Sequence, residues 1–181
     1  MNKVKLIFKN ISQIVGSEEV GLIVLSDEKE NHQIAMPCDK NMIYQFSLRI
    51  SEIPTKEKLL PEVLAEILKQ TNMEYEILID DIIDGAYHTM LINMTTLKSN
   101  SLRASDAILL SYISSIPLYI EEGLMKKQSV TYEKSAKGIS IPVNSLNLEM
   151  LERAIKTAVK EEKYEIASFL RDEIKRRKNN Q

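Results

Sequence analysis

Short apolar runs of strand length alternate with longer amphipathic runs along most of the chain. Val4 to Asn10 has strand character centred on Leu6-Ile7-Phe8. Val20-Gly21-Leu22-Ile23-Val24-Leu25 predicts a second strand, ending in the polar turn Ser26-Asp27-Glu28-Lys29-Glu30-Asn31. Gln33 to Pro37 is suited to pair back as a third strand, and Asp39 to Arg49 is read as helical. Pro61 to Lys69 predicts a helix, with proline in its first turn and Val63, Leu64, Ile67 and Leu68 on one apolar face. Tyr75 to Ile79 and Tyr87 to Met94 are β-forming runs on either side of Asp84-Gly85, a strong hairpin signal. A helix beginning near Ser105 continues through Ala107 to Ile113; it is apolar on nearly all sides and is expected to be buried. Pro117-Leu118-Tyr119-Ile120 reads as a short final strand.

These elements predict an α+β domain over residues 1–130, with a mixed or antiparallel sheet and two to three packed helices. Residues 131–146 read as a linker: Ser135 to Ser145 is small and polar, with Gly138 and Pro142 and no helical period. Leu148, Leu151, Ile155 and Val159 then recur at helical spacing, with Ala154 and Ala158 beside them. The pattern pauses at Glu161-Glu162-Lys163 and resumes at Tyr164, Ala167, Leu170 and Ile174. This predicts an αα-hairpin over residues 147–178. Lys175-Arg176-Arg177-Lys178 falls at the end of its second helix, where cations suit the negative end of the dipole.

Composition narrows the class. An apolar fraction of 44% supports a folded core. No stretch approaches the ~18 continuous apolar residues of a membrane span. Met1-Asn2-Lys3-Val4-Lys5-Leu6 carries charge inside the run and no small-residue cleavage site, so it reads as a strand and not as a signal peptide. The single cysteine, Cys38, makes no internal disulfide, lacks an obvious activating neighbour, and joins no zinc-like spacing. Together these features favour the cytoplasm. The net charge of −2 provides no global attraction for nucleic acid. From Leu148 onward nine basic and seven acidic residues leave a net of +2, so the remainder carries −4. An acidic body needs a metal ion or a local basic groove to hold a phosphate backbone.

Two segments carry family resemblances. Leu151-Glu152-Arg153-Ala154-Ile155 and Lys163 through Ile174, with the core Tyr164-Glu165-x-Ala167-x-x-x-Arg171-Asp172-x-Ile174, resemble the UVR motif of bacterial excision-repair proteins. That resemblance implies a hairpin that docks on another protein, often on another such hairpin. Met150, Tyr164, Phe169, Arg171 and Asp172 are the candidate contacts; the alternative is a hairpin that only packs on its own domain. Arg103-Ala104-Ser105-Asp106-Ala107-Ile108, the following Ile116-Pro117-Leu118-Tyr119-Ile120, and Asp84-Gly85-Ala86-Tyr87 resemble the bifunctional nuclease family over roughly residues 3 to 130. This second resemblance implies cleavage of DNA or RNA.

The residues have their own chemistry. Ser105 is placed to N-cap its helix, Asp106 sits in the first turn, and Arg103 is positioned to pair with Asp106 or to hold a phosphate. Phosphodiester hydrolysis commonly uses a metal-bound water. Asp80, Asp81, Asp84 and Asp106 are candidate carboxylates, which would suit magnesium or manganese. His88 is a candidate proton carrier, although it alternates in phase with Met90, Ile92 and Met94 as a core or rim histidine would. Asp84 has the alternative of simply making the turn, and Arg103–Asp106 that of a structural ion pair. The chain departs from the nuclease pattern at Ile53-Pro54-Thr55-Lys56-Glu57-Lys58-Leu59, where the family usually carries Arg-Pro-x-Thr-His-Asp-Leu. Two functions therefore stand side by side: a metal-dependent nuclease with a docking hairpin, and a degenerate adaptor that recruits a partner. A homo-oligomer through an edge strand is compatible with either.

Overall fold

A computed structural model describes residues 2–13, 20–51, 58–132 and 142–179. The chain divides into two units, Met1–Asp81 with Tyr87–Ser140, and Ile82–Ala86 with Ile141–Gln181. The architecture is α+β, as the sequence predicts. The strands are β1 (Lys3–Gln13), β2 (Val20–Asp27), β3 (His32–Asp39), β4 (Tyr75–Ile83), β5 (Ala86–Asn93), β6 (Ser99–Ser101), β7 (Leu118–Glu121) and β8 (Val130–Thr131). Helices are α1 (Lys40–Ile50), α2 (Leu60–Gln70), α3 (Ala104–Ser114), α4 (Glu122–Gln128), α5 (Leu148–Lys160) and α6 (Tyr164–Asn179). No helix among the described residues is long and apolar enough to cross a membrane.

The strands form one mixed sheet in the order β6-β5-β4-β7-β1-β2-β3-β8. β1 pairs antiparallel with β2, and β2 with β3. Four-residue β7 joins this meander to the other half, antiparallel to β1 and parallel to β4. β2 and β3 read as continuous Leu/Ile/Val/Met runs because most of their residues are buried on both faces, including Ile23, Leu25, Ile34 and Met36.

Helix α1 starts where Asp39 accepts the Met42 backbone N–H at 2.8 Å. Met42, Phe46 and Arg49 then repeat at helical spacing and point inward. The Phe46 ring stacks on Phe8 of β1 at 4.8 Å, and Tyr112 of α3 meets Phe8 edge-on at 5.1 Å. Helix α3 buries Ala107, Ile108, Leu109 and Leu110, as its all-round apolar composition demands.

Several expectations are corrected. Ser105 is not the cap of α3: Arg103 occupies that position with extended backbone, makes no side-chain cap bond, and Ser105 lies inside the first turn. Of the apolar face read on α2, Val63, Leu64 and Ile67 are exposed, and no residue of the helix is fully buried. The end of the expected linker is structured, since Val143–Ser145 form a 3₁₀ turn with Ser145 buried. Residues 133–141 and Ile53 to Glu57 of the departure from the nuclease pattern lie outside the described residues. β6, α4 and β8 carry too little apolar pattern to be read from sequence. Ser99-Asn100-Ser101 is polar throughout, and α4 starts because the Glu121 carboxylate accepts the Leu124 N–H.

Candidate functional site

The start of α3 carries a three-residue charge cluster. Arg103 donates from Nε to Asp106 Oδ2 at 2.6 Å and from Nη2 to Asp106 Oδ1 at 3.2 Å. Its Nη1 donates to Asp39 Oδ2 at 3.0 Å, tying the start of α3 to the start of α1. Sequence reasoning pairs Arg103 with Asp106 but misses Asp39, whose cap position was the available signal. Asp106 foremost, then Asp39, hold the guanidinium more firmly charged than usual. One cation between two carboxylates leaves a net negative charge. Both carboxylates are engaged by Arg103, and the group is solvent-exposed, so as it stands it repels a phosphate and offers no ready pair of oxygens to a cation.

A second pair lies on the β4–β5 hairpin. His88 Nδ1 is 2.6 Å from Asp80 Oδ1, and both side chains are partly buried. A carboxylate on Nδ1 orients the imidazole and leaves Nε2 as the other ring nitrogen, a pairing of the kind general bases use. Asp84 has φ 51° and Gly85 φ 82°, so these two make the tight turn that the sequence predicts. Among the described residues no three His, Cys, Asp or Glu side chains are grouped to hold a metal ion. A cavity of about 510 Å³ lies between α2 and Ile113 to Pro117, and none of the expected site residues lines it. Cys38 is buried, and that burial, helped by Asp39, pushes its thiol up to about 12, so it is no nucleophile.

In the other unit, Asn147 caps α5 by accepting the Met150 N–H at 2.9 Å. Helix α5 ends in a Schellman arrangement, with Glu162 at φ 60° and Lys163 N–H donating to Ala158 O at 2.8 Å. That is the physical content of the Glu161-Glu162-Lys163 pause. The seam is filled by Leu151, Ala158, Ala167 and Leu170. Phe169 (63%) and Tyr164 (65%) remain exposed, as does Ile166, while Met150 is half-buried. At ~100° per residue Ile166 and Phe169 share one flank of α6, whereas Tyr164 and Arg171 share the other. The expected contact residues thus form two edges, and Ile166 belongs with Phe169. Arg171 donates to Ser168 Oγ at 3.3 Å, and Asp172 lies 3.9 Å from Lys175.

Arg177, read from sequence as a dipole-facing cation, is only 5% exposed. It donates to the backbone oxygens of Leu146, Val143 and Asn144, and to Glu173. Gly85, in the same unit, has no side chain to meet this guanidinium; a Cβ there would clash with Arg177 and with Leu146 O. Glu173 is held down to about 2 by Arg176 first and by Arg177. A depressed carboxylate stabilises the fold fully above its ordinary 4.5, and the contribution is lost as pH falls toward about 2. Circular dichroism between pH 5 and pH 2 should therefore show the hairpin weakening, with a shallower dependence in Glu173→Gln; equal slopes would contradict this assignment.

A family model described as the bifunctional nuclease domain matches residues 23–133. A second, the UvrB/uvrC motif, matches residues 147–179. No curated protein matches the chain.

Proposed function

The chain belongs to the bifunctional nuclease domain family, and on that premise we propose that it acts as a recruiting protein whose α5–α6 hairpin docks on a partner. One observation carries this reading. The hairpin fills its own seam with Leu151, Ala158, Ala167 and Leu170, yet leaves Ile166 and Phe169 in water on one flank of α6. An exposed aromatic beside an aliphatic neighbour is the kind of anchor that dominates protein interfaces. The Tyr164–Arg171 flank offers a second, more polar edge, where exposed charges give orientation more than affinity. The expected partner surface is another hairpin of the same motif. Pull-down of partners by the full chain should fall at least ~10-fold in Ile166→Ala/Phe169→Ala. Unchanged recovery would sink the docking reading.

A second reading, hydrolysis of DNA or RNA, is favoured by the Asp80–His88 pair. In it His88 Nε2 accepts a proton from the attacking water, while Asp80 orients the ring. Arg103 and Asp106 then serve the fold at the α1 and α3 starts, and no step is routed through a metal ion. Purified protein is assayed on single-stranded DNA and RNA, with and without magnesium or manganese. Cleavage should drop ~100-fold or more in His88→Ala. Cleavage retained in His88→Ala but lost in Asp84→Ala/Asp106→Ala would return the chemistry to the carboxylates.

A further inference from the structure

The two flanks of α6 differ in chemistry. At ~100° per residue Tyr164, Ser168, Arg171, Lys175 and Lys178 fall within an arc of about 80°, on the flank opposite Ile166 and Phe169. Four of the five are exposed, and Ser168 is half-buried. The arc holds three cations and no carboxylate. Asp172 and Glu165, the α6 carboxylates nearest to it, lie about 40° and 60° beyond its edge. The cations are loosely held. Arg171 donates to the neutral Ser168 Oγ. Lys175 is 3.9 Å from Asp172, beyond hydrogen-bond distance, and both side chains are largely in water. Lys178 has no ion-pair partner among the described residues. Arg176 and Arg177, by contrast, are committed to Glu173.

We propose that this flank holds single-stranded nucleic acid, so that α6 carries a protein partner on its apolar flank and a phosphate chain on the other. The inference goes beyond the docking reading. It rests on membership of the nuclease-domain family and not on hydrolysis at His88. Charge complementarity favours it. From Leu148 onward the chain is net +2 and the remainder is −4, and the Arg103 cluster at the start of α3 leaves a net negative charge. The α6 flank supplies the free cations that the body lacks. Arg171 to Lys178 spans ~10 Å along the helix, about three phosphates of one strand at ~3.4 Å each. Tyr164 stands in line with the cations two turns upstream, with its ring 65% exposed. An aromatic ring in line with a basic track is the means by which proteins hold unpaired bases without reading their sequence. An acidic protein segment would meet the cations as well; the ring favours a chain of bases.

The test measures fluorescence anisotropy of labelled single-stranded DNA and RNA oligomers with the full chain, over a series of salt concentrations, with the probe checked intact on a gel afterwards. Wild type should bind, with log K falling against log salt at a slope of about −2, the value for three phosphates of a single strand. Arg171→Gln/Lys175→Gln/Lys178→Gln should bind at least ~10-fold more weakly at low salt, with a slope near zero and an unchanged circular dichroism spectrum. Tyr164→Ala should weaken binding ~10-fold and leave the slope as it is. Ile166→Ala/Phe169→Ala should bind the probes like wild type, which separates this inference from the docking reading. Absence of binding to either polymer overturns the proposal. So does a triple variant that keeps its affinity and slope. A triple variant that loses protein partners while holding nucleic acid unchanged also overturns it, and assigns the flank to an acidic protein.

Discussion

Phe46→Ala should lower the melting temperature of the α+β body by roughly 10–20 °C, the consequence of losing about 3–5 kcal/mol. The ring has no exposed surface, lies flat on Phe8 at 4.8 Å and is 5.6 Å from Tyr112. Truncation removes the transfer energy of a phenyl group. It also leaves a void bounded by one strand and two helices that cannot collapse without moving α1 off β1. Thermal denaturation checks it, with Phe46→Leu as the milder comparison. A shift below about 3 °C in the alanine variant would mean that this aromatic cluster is not the centre of the packing.

Arg177→Ala is the second large effect and belongs to the other unit. Its guanidinium supplies donors to the three backbone oxygens of Leu146, Val143 and Asn144 and a counter-charge to Glu173. Removing a buried charge of this kind strands its partners, at a cost of about 3 kcal/mol. A unit this small has little apolar burial to absorb the loss. Amide hydrogen exchange on α5 and α6 should accelerate about 100-fold, while α3 of the body keeps its protection. Lysine at the same position should rescue only in part, because a single ammonium cannot reach the separated oxygens as a planar fork does. Unaltered exchange in α5 would refute the role given to Arg177.

Elements with a local signature are legible in the sequence alone. Asp84-Gly85 announces its turn because two successive positive φ angles suit these residues. The break at Glu161 to Lys163 is visible because the apolar period of α5 stops there. Arg177 was misread because its role depends on carbonyls of the 3₁₀ turn more than 30 residues earlier, and nothing in a run of four basic residues singles out the one that goes inward. Asp80–His88 was missed for a related reason. Both residues are singled out as candidates in the sequence, but their contact at 2.6 Å depends on how two strands pair. A shift of strand register by one residue changes which face a side chain occupies, and sequence alone does not report register. The outward stripe of α2 is the clearest failure of pattern reading. Periodicity finds an apolar face but does not say whether the same chain or another one covers it.

β7 has a consequence for how the molecule is made. In the hydrogen-bonded sheet the β1 meander and the β4–β6 group are joined by this one short strand, so the two halves cannot pair until residue 121 has been synthesised. At ~10 residues per second, β1 waits on the order of 10 s on the ribosome with one edge unpaired. Lys3, Lys5 and Lys9 lie along that waiting strand, and charge of this kind discourages a neighbouring nascent chain from zipping onto it. Translation that halts before Leu118 leaves a half-built sheet with these lysines as its guard against aggregation.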